Sequence, residues 1–256
     1  MLFILLNITK MSSMFKFYEV GGKIRDEILG LKSKDVDYVA VPSDSMIEDI
    51  SSAYTMFNVL EEYLKQERFE IFLSTTECFT IRARFPTDHQ YQGVADFVMA
   101  RKEVGYIEGT RTPIIKPGNL YDDLERRDFT LNALARDSDG TIIDYFNGQE
   151  DLRNRILKTP LDIKVTFNDD PLRILRAIRF SITKGFTIPN EMWDEIYLYD
   201  YQNKMSVVSD ERIREELFKC LKYNTIETLE RLRQFPKLAE YIFRSNRLWL
   251  KPTFEL

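Results

Sequence analysis

Apolar and polar positions along this chain of 256 residues fall into two stretches of different periodicity. Residues 15–20 alternate and run into Gly21-Gly22, which predicts a strand and then a turn. Residues 23–29 follow as a short helix with Ile24 and Ile28 one turn apart, stopped by Gly30. Residues 34–41 are rich in β-formers and read as a second strand. Residues 47–66 carry Met56, Leu60 and Leu64 on one helical stripe, and residues 70–85 and 94–100 read as further strands separated by polar turns. Gly105, Gly109, Pro113, Pro117 and Gly118 then crowd residues 103–120 and predict a mobile loop. After residue 148 the period becomes helical, clearest over residues 171–183, 209–222 and 225–234. The expected fold class is α+β, a mixed first part handing over to an all-α second part, with no internal repeat.

Composition narrows the chemistry. Hydrophobic residues make up 44% and charged residues 30% of the chain, as in ordinary globular proteins. Two cysteines, Cys78 and Cys220, and one histidine, His89, exclude a disulfide framework and a Cys/His zinc site. Residues 1–6 are apolar but far short of the ~20 residues that span a bilayer. Their first charge, Lys10, comes after them rather than before, unlike a secretory signal. A cytoplasmic protein with no membrane partner and a loose extension over residues 1–14 is expected. The net charge is −5; its negative excess lies in residues 1–150, and the remainder is net positive. A chain gripping long nucleic acid through phosphates alone would be more basic.

Three constellations carry candidate chemistry. In Gly21-Gly22-Lys23-Ile24-Arg25-Asp26, the glycine pair permits close backbone approach, and a helix start with Arg25 attracts phosphate. Asp35 and Asp37 follow, two apart on a predicted strand, so their carboxylates leave one face and offer hard oxygen ligands for Mg²⁺. Alone, such a pair is a weak signal that reads more readily as two solvated strand-edge aspartates; the upstream glycine-arginine start shifts the balance. The second is Asp123-Leu124-Glu125-Arg126-Arg127-Asp128-Phe129-Thr130-Leu131-Asn132-Ala133, whose bland reading is a charged helix start. One of its arginines could reach a triphosphate while Asp128 accepts from a ribose hydroxyl or orients its neighbour. The third is Asp169-Asp170-Pro171-Leu172-Arg173, continuing through Arg176 and Arg179. Pro171 suits the first helical position and Asp170 the N-cap. Three arginines every third residue with no acid among them call for an anionic ligand or for buried acids elsewhere, where an ordinary solvated face would alternate signs.

Taken in order, these segments resemble the class II tRNA nucleotidyltransferases, the CCA-adding enzymes and their bacterial poly(A) polymerase relatives. The resemblance runs from about residue 15 to residue 221. It includes Asp144-Tyr145-Phe146-Asn147-Gly148-Gln149-Glu150-Asp151-Leu152 and closes on Ser209-Asp210-Glu211-Arg212-Ile213-Arg214-Glu215-Glu216-Leu217. It implies a polymerase-beta-like nucleotidyltransferase head over residues 15–148, a helical, base-reading neck over 149–222 and a short body remnant over 223–256.

The resemblance also implies roles. Asp35 and Asp37 would hold two Mg²⁺ ions, with Asp96 as a looser match for a third carboxylate. Gly22, Arg25, Arg127 and Asp128 would meet the nucleotide at its triphosphate and sugar. Asp170 and Arg173 would read the incoming base, with Arg176 and Arg179 as further nucleotide-binding arginines. The expected activity is template-independent addition of C and A, from CTP and ATP, to the 3′ end of tRNA or another RNA, releasing pyrophosphate. A poly(A) polymerase or a CC-only or A-only enzyme shares these motifs, and a non-catalytic nucleotide- or RNA-binding module is the alternative from a different class.

Overall fold

A computed structural model describes residues 14–32, 36–43, 50–89, 91–110 and 112–244. Asp35, the extension over residues 1–13 and the segment 245–256 lie outside the described residues. The chain divides into two compact units. One holds the residues up to Leu152 except 108–111, and the other takes 108–111 and everything from Arg153 onward.

The first unit is built on β1 (Phe15–Val20), α1 (Gly22–Ile28), β2 (Val36–Pro42), α2 (Ile50–Gln66), β3 (Glu70–Thr75), β4 (Thr80–Arg84) and β5 (Val94–Met99). It continues through β6 (Arg101–Tyr106), β7 (Pro113–Pro117), α3 (Leu120–Glu125), β8 (Leu134–Arg136) and β9 (Ile142–Asp144), and α4 (Gly148–Asn154) spans the division. Seven strands form one sheet in the order β3-β4-β5-β2-β1-β8-β9. Only β2 and β5 run parallel within it; the other pairs are antiparallel.

Strand alternation sorts the side chains. Val36 and Ala40 of β2 and Ala95, Phe97 and Met99 of β5 join Phe57, Leu60 and Leu64 of α2 in the larger core. That is the stripe expected from the spacing of Met56, Leu60 and Leu64. The opposite face buries Tyr18, Val20 and Val39 with Leu120 and Leu124 of α3. Asp37 and Asp96 are one residue out of phase with the larger core, so they lie on this second face.

The loop expected over residues 103–120 is instead a β-hairpin, β6 against β7, forming a separate two-stranded sheet. Its glycines and prolines are placed where a hairpin tolerates them. Gly105 sits at a register shift, Gly109 in the turn at φ +72°, and Pro113 and Pro117 at the two ends of β7.

The motif over residues 144–152 ties its helix to the arginine segment. Asp144 Oδ1 accepts the Gly148 N–H at 2.8 Å and Oδ2 that of Gln149 at 2.9 Å, capping α4. Buried Asp151 accepts the Thr130 hydroxyl at 2.7 Å. A Cβ on Gly148 would stand 2.2 Å from the Thr130 carbonyl oxygen, so only glycine allows this approach.

The second unit is helical: α5 (Ile163–Asp169), α6 (Leu172–Lys184), α7 (Asn190–Leu198), α8 (Tyr201–Lys204), α9 (Asp210–Tyr223), α10 (Thr225–Arg233) and α11 (Pro236–Arg244). Leu172, Leu175 and Ile178 of α6 are buried, as their spacing predicts, together with Ile213, Leu217 and Cys220 of α9. No helix among the described residues is long and apolar enough to cross a membrane.

Candidate active site

β2 and β5 are adjacent parallel strands in a register that sets Asp37 beside Asp96. Register partners on neighbouring strands share a face and lie about 4.8 Å apart along the hydrogen-bonding direction. Two carboxylates are thereby brought together from residues 59 positions apart, and Arg82 of β4 extends the row, its Nε 3.2 Å from Asp96 Oδ1. On the other side of β2, Asp37 pairs with Val20, the last residue of β1, so the glycine turn begins next to it.

Gly21 takes φ +76°, a conformation that disfavours any side chain. A Cβ there would come 3.0 Å from Arg127 Nη1 and 3.5 Å from Asp37 Oδ2. Gly21 therefore keeps open a cradle between a carboxylate and a guanidinium. Gly22 does the same for Arg25, whose Nη2 would lie 3.3 Å from a Cβ at that position.

Arg25 is almost fully buried and held from two sides. The Asp26 carboxylate receives its Nε at 2.9 Å and its Nη2 at 3.0 Å, and Asn132 Oδ1 receives its Nη1 at 2.6 Å. Asn132 in turn donates to Asp128 Oδ1 at 2.8 Å, which also accepts the Phe129 N–H at 2.9 Å. Of the two readings open to Asp128 from sequence, orienting a neighbour is thus directly visible, the neighbour being Asn132.

Arg127 is set by an acid that opens the second constellation but is assigned no role there. Asp123, fully buried on α3, accepts Arg127 Nη2 at 3.1 Å and also pairs with Arg126. Arg126 continues to Glu103 of β6, which binds Arg101 at 3.0 Å and the Tyr106 hydroxyl at 2.6 Å. Arg127 Nη1 donates to the Asn132 carbonyl at 3.3 Å, while its buried Nε has no acceptor among the described residues. An unmatched, buried guanidinium donor beside an open glycine turn suits an anionic ligand. The spacing of Asp123, on α3, to Arg126 and Arg127 just past its end, three and four residues on, is the available signal.

Burial alone would push the Asp123 carboxyl up, but the charges of Arg126, Arg127 and Arg101 outweigh it and hold it below the ordinary carboxylate range. A depressed value in the folded state means the stabilisation is complete above the unfolded carboxyl's pKa of about 3.9 and is lost as pH falls below that. Removing one partner of a buried pair costs about 3–5 kcal/mol. Asp123→Asn should therefore lower the urea midpoint strongly at pH 7, and should flatten the fall in stability between pH 4 and pH 2 that the parent shows.

The four remaining candidates lie in the second unit. Asp170 sits at the junction of α5 and α6, where its Oδ1 accepts the Leu172 N–H at 3.0 Å and its backbone carbonyl accepts the Arg173 N–H at 3.0 Å. Arg173, almost fully buried, donates from Nη1 to the Thr166 carbonyl at 3.2 Å. The neighbouring Phe167 carbonyl accepts the buried Tyr199 hydroxyl at 3.0 Å, so the end of α5 is fastened twice. Arg179 binds Glu216 at 2.5 Å and Arg176 lies 3.9 Å from the same carboxylate, with Lys219 at 3.1 Å. Glu216 is buried; desolvation opposes its charge, yet the two arginines hold its carboxyl below the usual range. This is the buried acid that the acid-free arginine ridge called for, and it gives Arg179 an internal partner.

Among the described residues no three His, Cys, Asp or Glu side chains gather as a metal site, Asp35 lying outside them. Asp37 and Asp96 nonetheless supply a hard-oxygen pair of the kind that binds Mg²⁺, on the edge of a cradle that a single Cβ would fill.

Comparison with known proteins identifies the family and the fold. A CCA-adding enzyme of Francisella tularensis subsp. tularensis (strain FSC 198) is 32% identical over 240 residues, covering 89% of this chain and 59% of that protein. A crystal structure of a tRNA nucleotidyltransferase complexed with a primer tRNA and an incoming ATP analogue superposes with a TM-score of 0.67 at 27% identity, over 93% of this chain and 61% of that one. A tRNA-processing enzyme with CTP superposes with a TM-score of 0.65 at 26% identity, over 92% of this chain and 57% of that one. The chain thus spans less than two thirds of the length of each. The poly(A) polymerase head domain family matches residues 17–158, a stretch that holds the glycine turn, the Asp37–Asp96 row and both buried arginine networks of the first unit. With more than half of its length inside that match, the chain belongs to the poly(A) polymerase head domain family, on a polymerase-beta-like head followed by helices.

Proposed function

We propose that this protein is a template-independent RNA nucleotidyltransferase that adds C, A or both to the 3′ end of tRNA, working in the cytoplasm. The observation that carries the reading is the register pairing of Asp37 with Asp96 beside the open turn at Gly21. A pure binding module has no need for two adjacent carboxylates on the face that also presents Arg127. The names of the relatives, a CCA-adding enzyme and a tRNA nucleotidyltransferase with a primer tRNA and an ATP analogue, support the choice of tRNA, CTP and ATP as substrates.

In this reading Asp35 and Asp37, with Asp96, hold two Mg²⁺ ions, which when bound stabilise charge on the entering and leaving oxygens. The RNA 3′-hydroxyl attacks the α-phosphate in line, the new P–O bond forms, and pyrophosphate leaves. Arg25 and Arg127 take the triphosphate charge, and the side-chain-free Gly21 and Gly22 let phosphate approach the backbone. Asp128 faces the sugar. Asp170 and Arg173 read the base: cytosine and adenine both place an amino donor beside a ring-nitrogen acceptor, matching a carboxylate beside a guanidinium, and guanine and uracil reverse that order. Arg176 keeps the looser hold on Glu216 and is the better placed of the two outer arginines for a ligand.

The test is incubation with tRNA lacking its 3′ end, Mg²⁺ and labelled CTP or ATP, singly and together. Addition of C, then A, supports the reading; ATP runs alone would indicate a poly(A) polymerase, and single-nucleotide products a CC-only or A-only enzyme. Retained ATP binding without incorporation on any RNA would overturn it in favour of a binding module.

A further inference from the structure

We infer that Asn132 is the positioning residue that sets Arg25 for the triphosphate, by joining it to Asp128. The inference rests on the functional reading above. Asn132 is almost fully buried, and its amide is used on both sides: Oδ1 accepts from Arg25 at 2.6 Å and Nδ2 donates to Asp128 at 2.8 Å. A guanidinium can only donate and a carboxylate can only accept, so the orientation of this amide is dictated by its neighbours. No other side chain of this size offers an acceptor to a cation and a donor to an anion from two separate atoms. Aspartate would lose the donor and set two carboxylates against each other; leucine would lose both bonds.

The bond reaches across 107 positions of sequence, from the segment after α3 back to the last turn of α1. Together with the Asp26 carboxylate on its other side, it leaves Arg25 one orientation, against the bare Gly22 backbone. Asn132 also holds Arg127 through its backbone carbonyl at 3.3 Å. A side-chain substitution leaves that carbonyl in place, so the effect is expected through Arg25.

The test is equilibrium binding of ATP, CTP and inorganic tripolyphosphate, by calorimetry, to the parent, Asn132→Ala, Arg25→Ala and the double variant. A hydrogen bond to a charged group corresponds to a loss in affinity of roughly 10- to 100-fold. Asn132→Ala should weaken all three ligands by a common factor of that order, because the triphosphate is common to them and the base is not. In the Arg25→Ala background the same substitution should have little further effect, since its route is gone. Parent-like affinity in a folded Asn132→Ala protein, an effect confined to one nucleotide, or additivity with Arg25→Ala overturns the inference. Asn132→Ser is measured alongside; with a urea midpoint near that of the parent, it reads the same affinities should the alanine variant not fold. Binding is measured without turnover, so a failure of the incorporation assay leaves this result interpretable by itself.

Discussion

Asp37→Ala should lower nucleotide addition by about 10³-fold or more while leaving the protein folded. The kinetic part follows from losing a carboxylate that positions several kcal/mol of charge stabilisation at the reacting phosphate, each ~1.4 kcal/mol being tenfold in rate. The stability part follows from geometry. Asp37 stands next to Asp96 in the same register row, and two like charges at that separation repel. Removing one disturbs no apolar core on α2, because both carboxylates are out of phase with the residues packed there. Single-turnover addition to tRNA, read beside a thermal melt, checks both halves. Activity above a tenth of the parent's would remove Asp37 from the chemistry. The loss should be uniform across nucleotides, since the carboxylate never meets the base.

The second large effect is the opposite in kind. Arg173→Ala should leave some addition but collapse base choice. A site that hydrogen-bonds its substrate discriminates by about 10⁴ or more, because the wrong base leaves buried groups unpaired. With the guanidinium gone, the preference for CTP and ATP over UTP and GTP should fall by orders of magnitude. The arginine is nearly buried and fastened to the Thr166 carbonyl, so its loss also loosens the end of α5 that carries Asp170. Steady-state kcat/KM for all four nucleotides decides the matter. A variant that slows equally on all four would show that Arg173 supports the fold and does not read bases. The two variants thus separate chemistry from selection: one lowers every nucleotide alike, the other changes their ratios.

Much of this was legible in the chain. The alternation of residues 15–20 and 94–99 announced β1 and β5, and the Met56, Leu60 and Leu64 stripe announced α2, because side-chain periods of 2 and 3.6 are local properties. The motifs were likewise readable, since each packs its chemistry within a short local stretch. The glycines and prolines of residues 103–120 predict a loop, and the segment forms a hairpin instead. These residues mark a bulge, a turn and strand ends as readily as disorder, and the packing of α2 and α3 on the hairpin selects the ordered outcome. The short strands β8 and β9, three residues each, carry too few positions to show a period at all.

What the amino-acid order determined by itself is therefore the type of each element with a regular period and the identity of the candidate chemical groups: Asp37, Arg25, Arg127, Asp170, Arg173. What only the tertiary structure decided is which of them meet. The pairing of Asp37 with Asp96 depends on the register of two strands with β3 and β4 between them in sequence, and register is set by how whole faces bury. Two partners of the arginines are equally non-local, Asn132 for Arg25 and Glu216 for Arg179, while Asp26 and Asp123 are local ones. A buried guanidinium must find its acceptors wherever folding brings them. Sequence names the charges; burial and register choose their company.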